Sequence, residues 1–393
     1  MTTKLRAASF QDGAVTTAKI AADAVTNPKI ADDAVQTENF ASTVNLGRRN
    51  IIINGAMQVA QRATSVTFNS TGGGYQTVDR FRFAGNRDQY VATLSQASDS
   101  PSGFGRSFKV ATTTQETSLD ASNQLNIQHR LEGQDLQQLK KGTSDAEKLT
   151  LSFYVKSSIA TTFSVNLVDQ DNTRTIASTY TVNVADTWEL KTITFAGDTT
   201  GTLDNDNARS LDLKFWLDGG TTYTSGTLAT SWESSIGANT ISATTGFMTT
   251  ANSTWQITGI QLEVGSTATP FEHRSFGEEL ALCQRYFFQV NGTGTEYATM
   301  SSGQMYQTTT YLGFFKTPVP MRTRPSFSLN NSLSTTNFSV VTGGNVRAIS
   351  SLTPTGDNQY LRINASTTTS GTQGHGGYIQ LQSGYNALWS AEL

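Results

Sequence analysis

Short runs of alternating apolar and polar residues fill the sequence from Asn50 onward, separated by clusters of Gly, Asn, Asp, Ser and Thr. Residues 149–155 and 190–195 are clear examples. A period of two is typical of half-buried β-strands. Ten such runs, with almost no helical pattern between them, predict a β-sandwich and not βαβ units. The candidate strands are 79–83, 90–95, 107–112, 124–131, 148–156, 162–168, 179–184, 189–195, 211–217 and 254–263.

The composition limits the possible functions. Charged residues make up 15% of the 393-residue chain, and its formal net charge is −3. There is no basic surplus to neutralise phosphates, so we expect no nucleic-acid partner. No run of 18 apolar residues occurs, which predicts no membrane insertion, and the first residues lack the apolar core of a signal peptide. The single cysteine, Cys283, allows neither an internal disulfide framework nor a cysteine-based zinc site. We expect no cofactor.

The first 46 residues contain three copies of a ten-residue unit with one large apolar residue every five positions. That spacing fits neither a coiled coil nor a plain strand. The apolar stripe is too thin to be buried within its own chain, so we expect it to pack against copies in a homotrimer. The alternative is a disordered tail. The predicted oligomerisation residues are Val15, Ile20, Val25, Ile30, Val35 and Phe40.

The rest of the chain divides into two predicted domains, a sandwich over 47–274 and a smaller β domain over 275–393. The sandwich carries a long polar insertion at 219–251. The second domain opens with the best helix candidate, residues 276–287, where acidic residues precede apolar ones at helical spacing. Short β-like runs follow at 306–315, 326–330, 338–342, 360–364 and 377–382.

Two acidic turns begin like oxygen-rich calcium loops, but neither continues with the Gly and distal Glu of an EF-hand. Asp and Asn are also common in tight turns, and a hairpin turn is the simpler interpretation of the first. The weak metal candidates are Asp169, Asp171, Asp204 and Asp206.

No catalytic machinery is readable. The histidines have no metal-site spacing, and no nucleophile elbow, zinc-protease motif, P-loop or dinucleotide fingerprint occurs. We therefore expect a protein that is not an enzyme, although sequence cannot select a spatial pair of glycosidase carboxylates. His129 is expected to form a cross-strand hydrogen bond, and Cys283 is expected to be a small buried hydrophobe.

Aromatic side chains are the remaining candidates for ligand binding, because exposed rings can stack on sugars. Trp216 and Trp255 lie within strands and are expected in the core. For the other aromatic residues, packing in the core or in an interface competes with ligand binding. The candidate ligand-binding residues are Tyr223, Trp232, His375, Tyr378, Tyr385 and Trp389.

Several ordered motifs resemble the β-sandwich domains of bacteriophage tail fibre proteins. Residue 154 is Tyr where those domains usually have Trp, and the second motif has one extra residue. The ten-residue repeat is similar to shaft segments of fibres from marine and cyanobacterial phages. The motifs are NIIINGAMQVAQR at 50–62, YQTVDRF at 75–81, LTLSFYVKS at 149–157, ITGIQLEVGSTATPFE at 257–272, ELALCQRY at 279–286 and PVPMRTRP at 318–325.

This resemblance implies a jelly-roll β-sandwich, similar to carbohydrate-binding modules, in a homotrimeric virion fibre. The expected architecture is thus all-β: an N-terminal fibrous repeat, the jelly roll and a smaller C-terminal β domain. Within the motifs, Asp79 and Arg80 suggest a strand-end ion pair, and Gly259 and Gly265 suggest bulge or turn positions. Alternation places Leu262 and Val264 in the core and Gln261 and Glu263 outside.

Three functions compete. The first is a tail fibre, assembled in the host cytoplasm, that docks other tail proteins through its N-terminal segment. Its distal C-terminal domain would bind a host-surface glycan or protein without catalysis. The second is a head fibre, capsid decoration or tail connector with a purely structural role. The third is a tailspike depolymerase, against which the absence of long solenoid repeats in the sequence counts.

Overall fold

The computed structural model describes residues 48–69, 72–291, 297–329 and 338–393. Residues 48–393 form one compact unit. The described residues form an all-β structure with two short α-helices, which confirms the predicted fold class. The ten-residue repeat, with its apolar positions Val15, Ile20, Val25, Ile30, Val35 and Phe40, lies outside the described residues.

The larger part of the fold is a jelly-roll sandwich of two antiparallel sheets. Its strands are β1 Ser65–Phe68, β2 Gly72–Tyr75, β3 Phe81–Asn86, β4 Val91–Ala97, β5 Ser107–Thr114, β6 Gln124–Glu132, β7 Leu149–Ser157, β8 Thr162–Asp169, β9 Arg174–Thr181, β10 Glu189–Phe195, β11 Arg209–Gly219, β12 Glu233–Ser234 and β13 Thr254–Val264. A six-stranded sheet has the order β1-β4-β5-β13-β7-β10, and a seven-stranded sheet has the order β12-β9-β8-β11-β6-β3-β2. The two sheets face each other, and the buried side chains between them form one shared core.

That core follows directly from the alternation in the sequence. Phe153 and Phe215 come from opposite sheets and meet edge to face, with ring centroids 5.0 Å apart. Trp255 is fully buried beside them, as expected. Trp216, also expected in the core, is 5% exposed but lies on the opposite face of its strand, packed against Tyr223. Removing such apolar surface from water at about 25 cal/mol per Å² is the main stabilising contribution to a sandwich of this kind.

The C-terminal strands form a three-stranded sheet of order β14-β22-β17 and a closed six-stranded barrel of order β15-β16-β20-β19-β18-β21. Their bounds are β14 Phe287–Asn291, β15 Ala298–Gln307, β16 Thr310–Lys316, β17 Ser326–Leu329, β18 Phe338–Thr342, β19 Asn345–Gly356, β20 Tyr360–Thr367, β21 Gly376–Leu381 and β22 Asn386–Ser390. A second hydrophobic core fills the barrel, with Met305, Tyr311, Ile363 and Ile379 all fully buried. Closure leaves this barrel without open sheet edges.

Two sequence-predicted strands differ from the structure. The run predicted at 179–184 is instead β9, which starts at Arg174 because a tight turn pairs Arg174 directly with Asp169. The run predicted at 306–315 is a hairpin, in which β15 ends at Gln307 and β16 begins at Thr310. In both cases the chain turns within fewer residues than the polar cluster in the sequence contains, so the strands extend into that cluster.

The helices are α1, Thr221–Thr224, and α2, Phe276–Gln284. Ser275 caps α2 by accepting a hydrogen bond from the Glu278 amide, and Cys283 is fully buried on its inner face. The predicted helix is confirmed but ends at Gln284, because Phe287 already begins β14.

Buried ion pairs join the C-terminal strands to the sandwich. Arg80 is fully buried, pairs with Glu392, and lies 3.4 Å from the ring centroid of Tyr286. Arg285 donates two hydrogen bonds, of 2.9 and 2.7 Å, to the buried carboxylate of Glu132. The predicted ion pair between Asp79 and Arg80 is therefore wrong.

Asp79 has its own partners instead. It accepts a 3.0 Å hydrogen bond from the Gln61 amide and lies 3.7 Å from Arg62. The side chains of adjacent residues such as Asp79 and Arg80 point in different directions. Each therefore pairs with a different part of the chain. His129 is also buried, but its Nε2 lies 3.1 Å from the Ile53 carbonyl, so its hydrogen-bond partner is not on a neighbouring strand as predicted.

The closing motif on β13 is only partly as predicted. Gly259 has φ +63° at a bulge in the pairing with β7, and Leu262 is fully buried, as expected. Gln261 and Glu263, predicted to face solvent, are buried as well. The segment after the strand folds back over them: the Thr269 amide donates to Glu263 at 2.8 Å, and the Glu272 amide donates to Gln261 at 2.8 Å.

Candidate functional site

The outer face of the seven-stranded sheet holds a row of polar side chains. The register places Arg82 on β3 opposite Gln128 on β6, and Gln128 opposite Lys214 on β11. On the next strand, Asn166 of β8 lies opposite Lys214. Register partners share a face, so these four side chains form one line across four adjacent strands. We call this line the sheet-face row.

An amide ladder along β6 supports the row. Gln128 donates from Nε2 to Asn126 Oδ1 at 2.8 Å, and Asn126 donates from Nδ2 to Gln124 Oε1 at 3.3 Å. The ladder exists because β6 alternates strictly: Leu125 and Ile127 fill the core, while the amides lie on the outer face, where Asn126 and Gln128 are nonetheless buried. Side-chain amides carry both donors and acceptors, which matches the hydroxyl groups of sugars.

Gln128 Oε1 also accepts from two guanidinium groups. Arg82 Nη1 donates to it at 3.4 Å, and Arg130 donates from Nε at 3.3 Å and from Nη2 at 3.1 Å. Arg130 Nη1 donates in addition to the carbonyl oxygen of Leu393. One neutral oxygen thus holds two cations side by side.

The nearby carboxylate is already occupied. Asp212 accepts from Arg209 Nε at 2.7 Å and from Gln170 Nε2 at 3.0 Å, while Lys214 Nζ lies farther away, at 3.6 Å. Four cations, Arg82, Arg130, Arg209 and Lys214, therefore interact electrostatically with the one carboxylate of Asp212.

The cations are partly withdrawn from water. Burial is the main influence on Lys214, and it lowers the pKa of that ammonium although Asp212 opposes the change. Burial likewise lowers the pKa of Arg82 and of Arg130. All three side chains still reach solvent in part, although the side chain of Lys214 is only 18% exposed. A negatively charged ligand would relieve this unfavourable clustering.

The polar insertion borders the row on one side. Tyr223 of α1 packs on Trp216, with ring centroids 5.2 Å apart, and Asn166 Nδ2 donates to the Thr240 carbonyl at 3.0 Å. Trp216 Nε1 and Asn166 Oδ1 are buried and have no hydrogen-bond partner among the described residues. On the opposite side, the Tyr75 hydroxyl donates to the Leu393 carbonyl at 3.3 Å.

The predicted ligand-binding residues are dispersed. Tyr223 borders the sheet-face row, whereas Trp232 lies at another edge, where its Nε1 donates to the Ala196 carbonyl at 2.7 Å. His375 and Tyr378 are exposed on the barrel. Tyr385 is half-buried against the barrel core.

Trp389 cannot contact a ligand. It is fully buried, stacked on Phe315 at 5.5 Å and tilted against Phe327 at 4.5 Å. Its assignment as a ligand-binding residue is wrong because β22 is the central strand of the three-stranded sheet. The competing interpretation, core packing, is correct for this residue.

The two acidic turns do meet in space, since the Asp204 amide donates to Asp171 at 3.0 Å. However, the buried carboxylate of Asp169 pairs with Lys141, whose ammonium also lies 3.0 Å from Asp198. Asp206 accepts from the Ala208 amide within its own turn. The positive charge that pairs with Asp169 and Asp198 thus comes from Lys141. No cluster of three His, Cys, Asp or Glu side chains suited to a metal occurs in the described parts of the chain.

A small cleft of about 160 Å³ lies elsewhere, at the outer face of the six-stranded sheet. Its lining includes Phe104, Phe271, His273, Arg274 and Glu279. Phe104 contacts Phe271 and His273 at centroid distances of 5.0 and 5.3 Å. Three rings of the lining, Phe104, Phe271 and His273, thus pack against one another.

Sequence reasoning missed the sheet-face row. Its signal was present in residues 124–130, where every second residue has an amide or a cationic side chain. None of these alternate positions is apolar. An outward face made wholly of long polar side chains differs from the Ser and Thr that dominate the other strands.

No protein-family model and no curated protein matches this sequence. Solved structures with similar folds include the enzymatically active domain of tailspike protein 4 from bacteriophage CBA120, at 12% identity and a TM-score of 0.28, covering 55% of this chain and 21% of that chain. A family 11 carbohydrate-binding module from Clostridium thermocellum, solved with a β-1,3-1,4-mixed-linked tetrasaccharide, has 14% identity and a TM-score of 0.28, covering 51% and 100%.

The N-terminal cellulose-binding domain of β-1,4-glucanase C from Cellulomonas fimi has 13% identity and a TM-score of 0.24, covering 53% of this chain and 100% of that domain. This chain thus spans about a fifth of the tailspike and the whole of the two binding modules. Scores this low carry no argument about function. Separately, none of the helices in the described ranges is long and apolar enough to cross a membrane.

Proposed function

We propose that this chain is a glycan-binding adhesion protein that acts without catalysis, and that the sheet-face row is its binding surface. The observation that carries the proposal is the alignment of Arg82, Gln128 and Lys214 across three adjacent strands. Arg82 and Lys214 stand there on a rigid scaffold and are partly exposed, whereas Gln128 is buried and holds the arginines in place. Such pre-organisation lowers the entropic cost of binding a flexible polymer.

The chemistry of the row suits sugars. Arg82 and Lys214 offer N–H donors that can pair with hydroxyl oxygens, and Tyr223 beside the row offers an aromatic ring for stacking. Hydrolysis by a glycosidase uses two carboxyl groups on either side of the scissile bond. The carboxylate next to the row, Asp212, is instead held by Arg209. This arrangement supports binding over cleavage.

We further propose that the protein is a homotrimeric tail fibre of a phage virion, assembled in the host cytoplasm. The sequence resemblance to tail fibre motifs supports this placement. In this proposal the N-terminal repeat trimerises and docks other tail proteins, and the host-surface glycan binds on the sandwich. The C-terminal barrel, with His375 and Tyr378 exposed, is the competing contact region.

The test uses the full-length chain. Light scattering is expected to give about three times 42.3 kDa, and the protein is expected to bind host envelope polysaccharide without releasing reducing ends. Gln128→Ala should weaken this binding. Gln138→Ala, an exposed glutamine whose Nε2 bonds only locally to the Asp135 carbonyl at 2.9 Å, is the matched control.

Several results would reject the proposal. Release of reducing ends would identify a depolymerase, and a monomer without glycan binding would favour a connector or decoration protein. Binding that survives Gln128→Ala but is lost on replacing His375 or Tyr378 would move the site to the barrel. Melting temperatures of both glutamine variants show whether any loss is due to unfolding.

A further inference from the structure

We propose that the glycan recognised by the sheet-face row is anionic, carrying carboxylate or sulfate groups along the polymer. This inference rests on the proposed function and deepens it, because it names the chemical class of the ligand. The observation behind it is a group of three cations: Arg82 and Arg130 both donate to Oε1 of Gln128, and Lys214 lies opposite Gln128 on the next strand.

The hydrogen-bonding capacity of two of these cations is largely unused. A guanidinium has five N–H donors, yet among the described residues Arg82 has one acceptor, Gln128 Oε1, at the long distance of 3.4 Å. Lys214 lies 3.6 Å from Asp212, which is beyond ordinary hydrogen-bond length. Both side chains can therefore turn donors toward a ligand without breaking a strong internal bond.

The surrounding charges do not neutralise the cluster. Asp212 is held by Arg209, and Glu132, the next carboxylate along β6, is buried and bonded to Arg285 at 2.7 Å. Charge-assisted hydrogen bonds from arginine to carboxylate or sulfate oxygens are about twice as strong as neutral ones. A neutral sugar would leave these half-buried cations uncompensated, whereas an anionic sugar pairs with them.

The geometry favours a repeating anion over a single one. Arg82 and Lys214 lie on either side of Gln128, on strands β3 and β11, which are both neighbours of β6. Strands in a sheet are about 4.8 Å apart, so the two backbones are separated by roughly 10 Å. That separation is about the length of two sugar rings, and it allows successive acidic groups of one polymer to contact both cations.

Affinity electrophoresis of the full chain tests the inference directly. Native gels contain polygalacturonate, alginate or dextran sulfate, each compared with its neutral counterpart: the methyl ester of the two uronate polymers, and unmodified dextran. The carboxylate and sulfate gels distinguish the two kinds of anion. We expect at least one acidic polymer to retard the protein at a tenfold or more lower concentration than its neutral counterpart.

Variants locate the effect. The double variant Arg82→Gln with Lys214→Gln should lose about tenfold in affinity for each cation removed, where tenfold equals about 1.4 kcal/mol. The control, Arg106→Gln with Lys148→Gln, removes the same charges from two exposed positions of the sandwich and should bind like the wild type. Melting temperatures verify folding, and if the double variant unfolds, the single variant Arg82→Gln replaces it.

The outcomes separate the two proposals. Equal retardation by an acidic polymer and its neutral counterpart, reduced by Gln128→Ala, would overturn the anionic inference and leave glycan binding standing. Retardation by none of the polymers, acidic or neutral, would overturn both. Equal loss in the control double variant, or equal retardation by duplex DNA, would show a non-specific charge effect and also overturn the inference.

Discussion

The pair between Arg80 and Glu392 allows a quantitative prediction about how the C-terminal strands are held to the sandwich. Arg80 is fully buried, and the side chain of Glu392 is 8% exposed. Burial is the largest single influence and lowers the pKa of Arg80, but Glu392, with smaller contributions from Tyr286, Tyr75 and Cys283, more than offsets it, so the pKa is raised. The negative charge of Glu392 is thus the main interaction that offsets the cost of removing the Arg80 guanidinium from water.

Glu392→Gln keeps the shape of the side chain and removes its charge. Deleting one partner of a buried ion pair costs about 3–5 kcal/mol, because the other charge stays buried and uncompensated. Arg80 keeps its contact with the Tyr286 ring, 3.4 Å away, and its hydrogen bond of 2.6 Å to the Arg130 carbonyl. We therefore expect the lower end of the range, a loss of about 3 kcal/mol in the free energy of unfolding.

Urea denaturation followed by tryptophan fluorescence measures this loss, since Trp255 and Trp389 are both buried. The control is Glu147→Gln, which makes the same chemical change in an ion pair with Lys140, whose side chain is 55% exposed. That variant should unfold at the same urea concentration as the wild type, because exposed pairs contribute little. If Glu392→Gln also matches the wild type, the buried pair does not hold the two parts together and the reasoning is refuted.

Three further predictions concern single residues. Burial raises the pKa of Asp79 to about 6 from an ordinary 3.8. The folded state therefore binds this proton more tightly, and about 3 kcal/mol of stability is lost as pH rises from about 4 to about 6. Urea midpoints across this range should show that loss in the wild type relative to Asp79→Asn; parallel curves would contradict it. Cys283 is fully buried, and burial raises the pKa of its thiol. It should react with a thiol reagent only after unfolding, and rapid labelling of the native protein would disprove its burial. Gly259→Ala should cost about 1–3 kcal/mol, because φ is +63° and the new Cβ would lie 2.7 Å from the Phe104 ring. Gly277→Ala, in a helix with open space around it, is the control and should be neutral or slightly stabilising in the same melts.

The sequence predicted most of the sandwich because its strands alternate regularly. The run predicted at 189–195 coincides with β10, and the run at 124–131 is one residue shorter than β6. Alternation is a local property of the sequence, so strands can be predicted from it without knowing which strands pair. It fails where Ser and Thr occupy both faces, as in β19, Asn345–Gly356, which no predicted run covers.

The sheet-face row was beyond local reasoning. Arg82, Gln128 and Lys214 come from distant parts of the chain, and only the pairing register aligns them. The same limit explains the error at Gln261 and Glu263: their strand alternates as predicted, but a later segment covers its outer face.

The aromatic candidates show a related limit. Aromatic side chains mark cores as readily as binding sites, and only the face of the strand and what packs against it distinguish the two. Trp389 is covered by Phe315 and Phe327 and is buried, whereas Tyr378 is on the outer face of the barrel and is 39% exposed. Sequence alone treats both as members of one C-terminal cluster.

A crystal structure of the full chain with an oligosaccharide from the polymer it binds best tests the central claim most directly. The account predicts sugar density along the sheet-face row, with anionic groups within hydrogen-bond distance of Arg82 or Lys214 and a hydroxyl on Gln128. Sugar bound instead at His375 and Tyr378 of the barrel, with the sheet-face row empty, would contradict it.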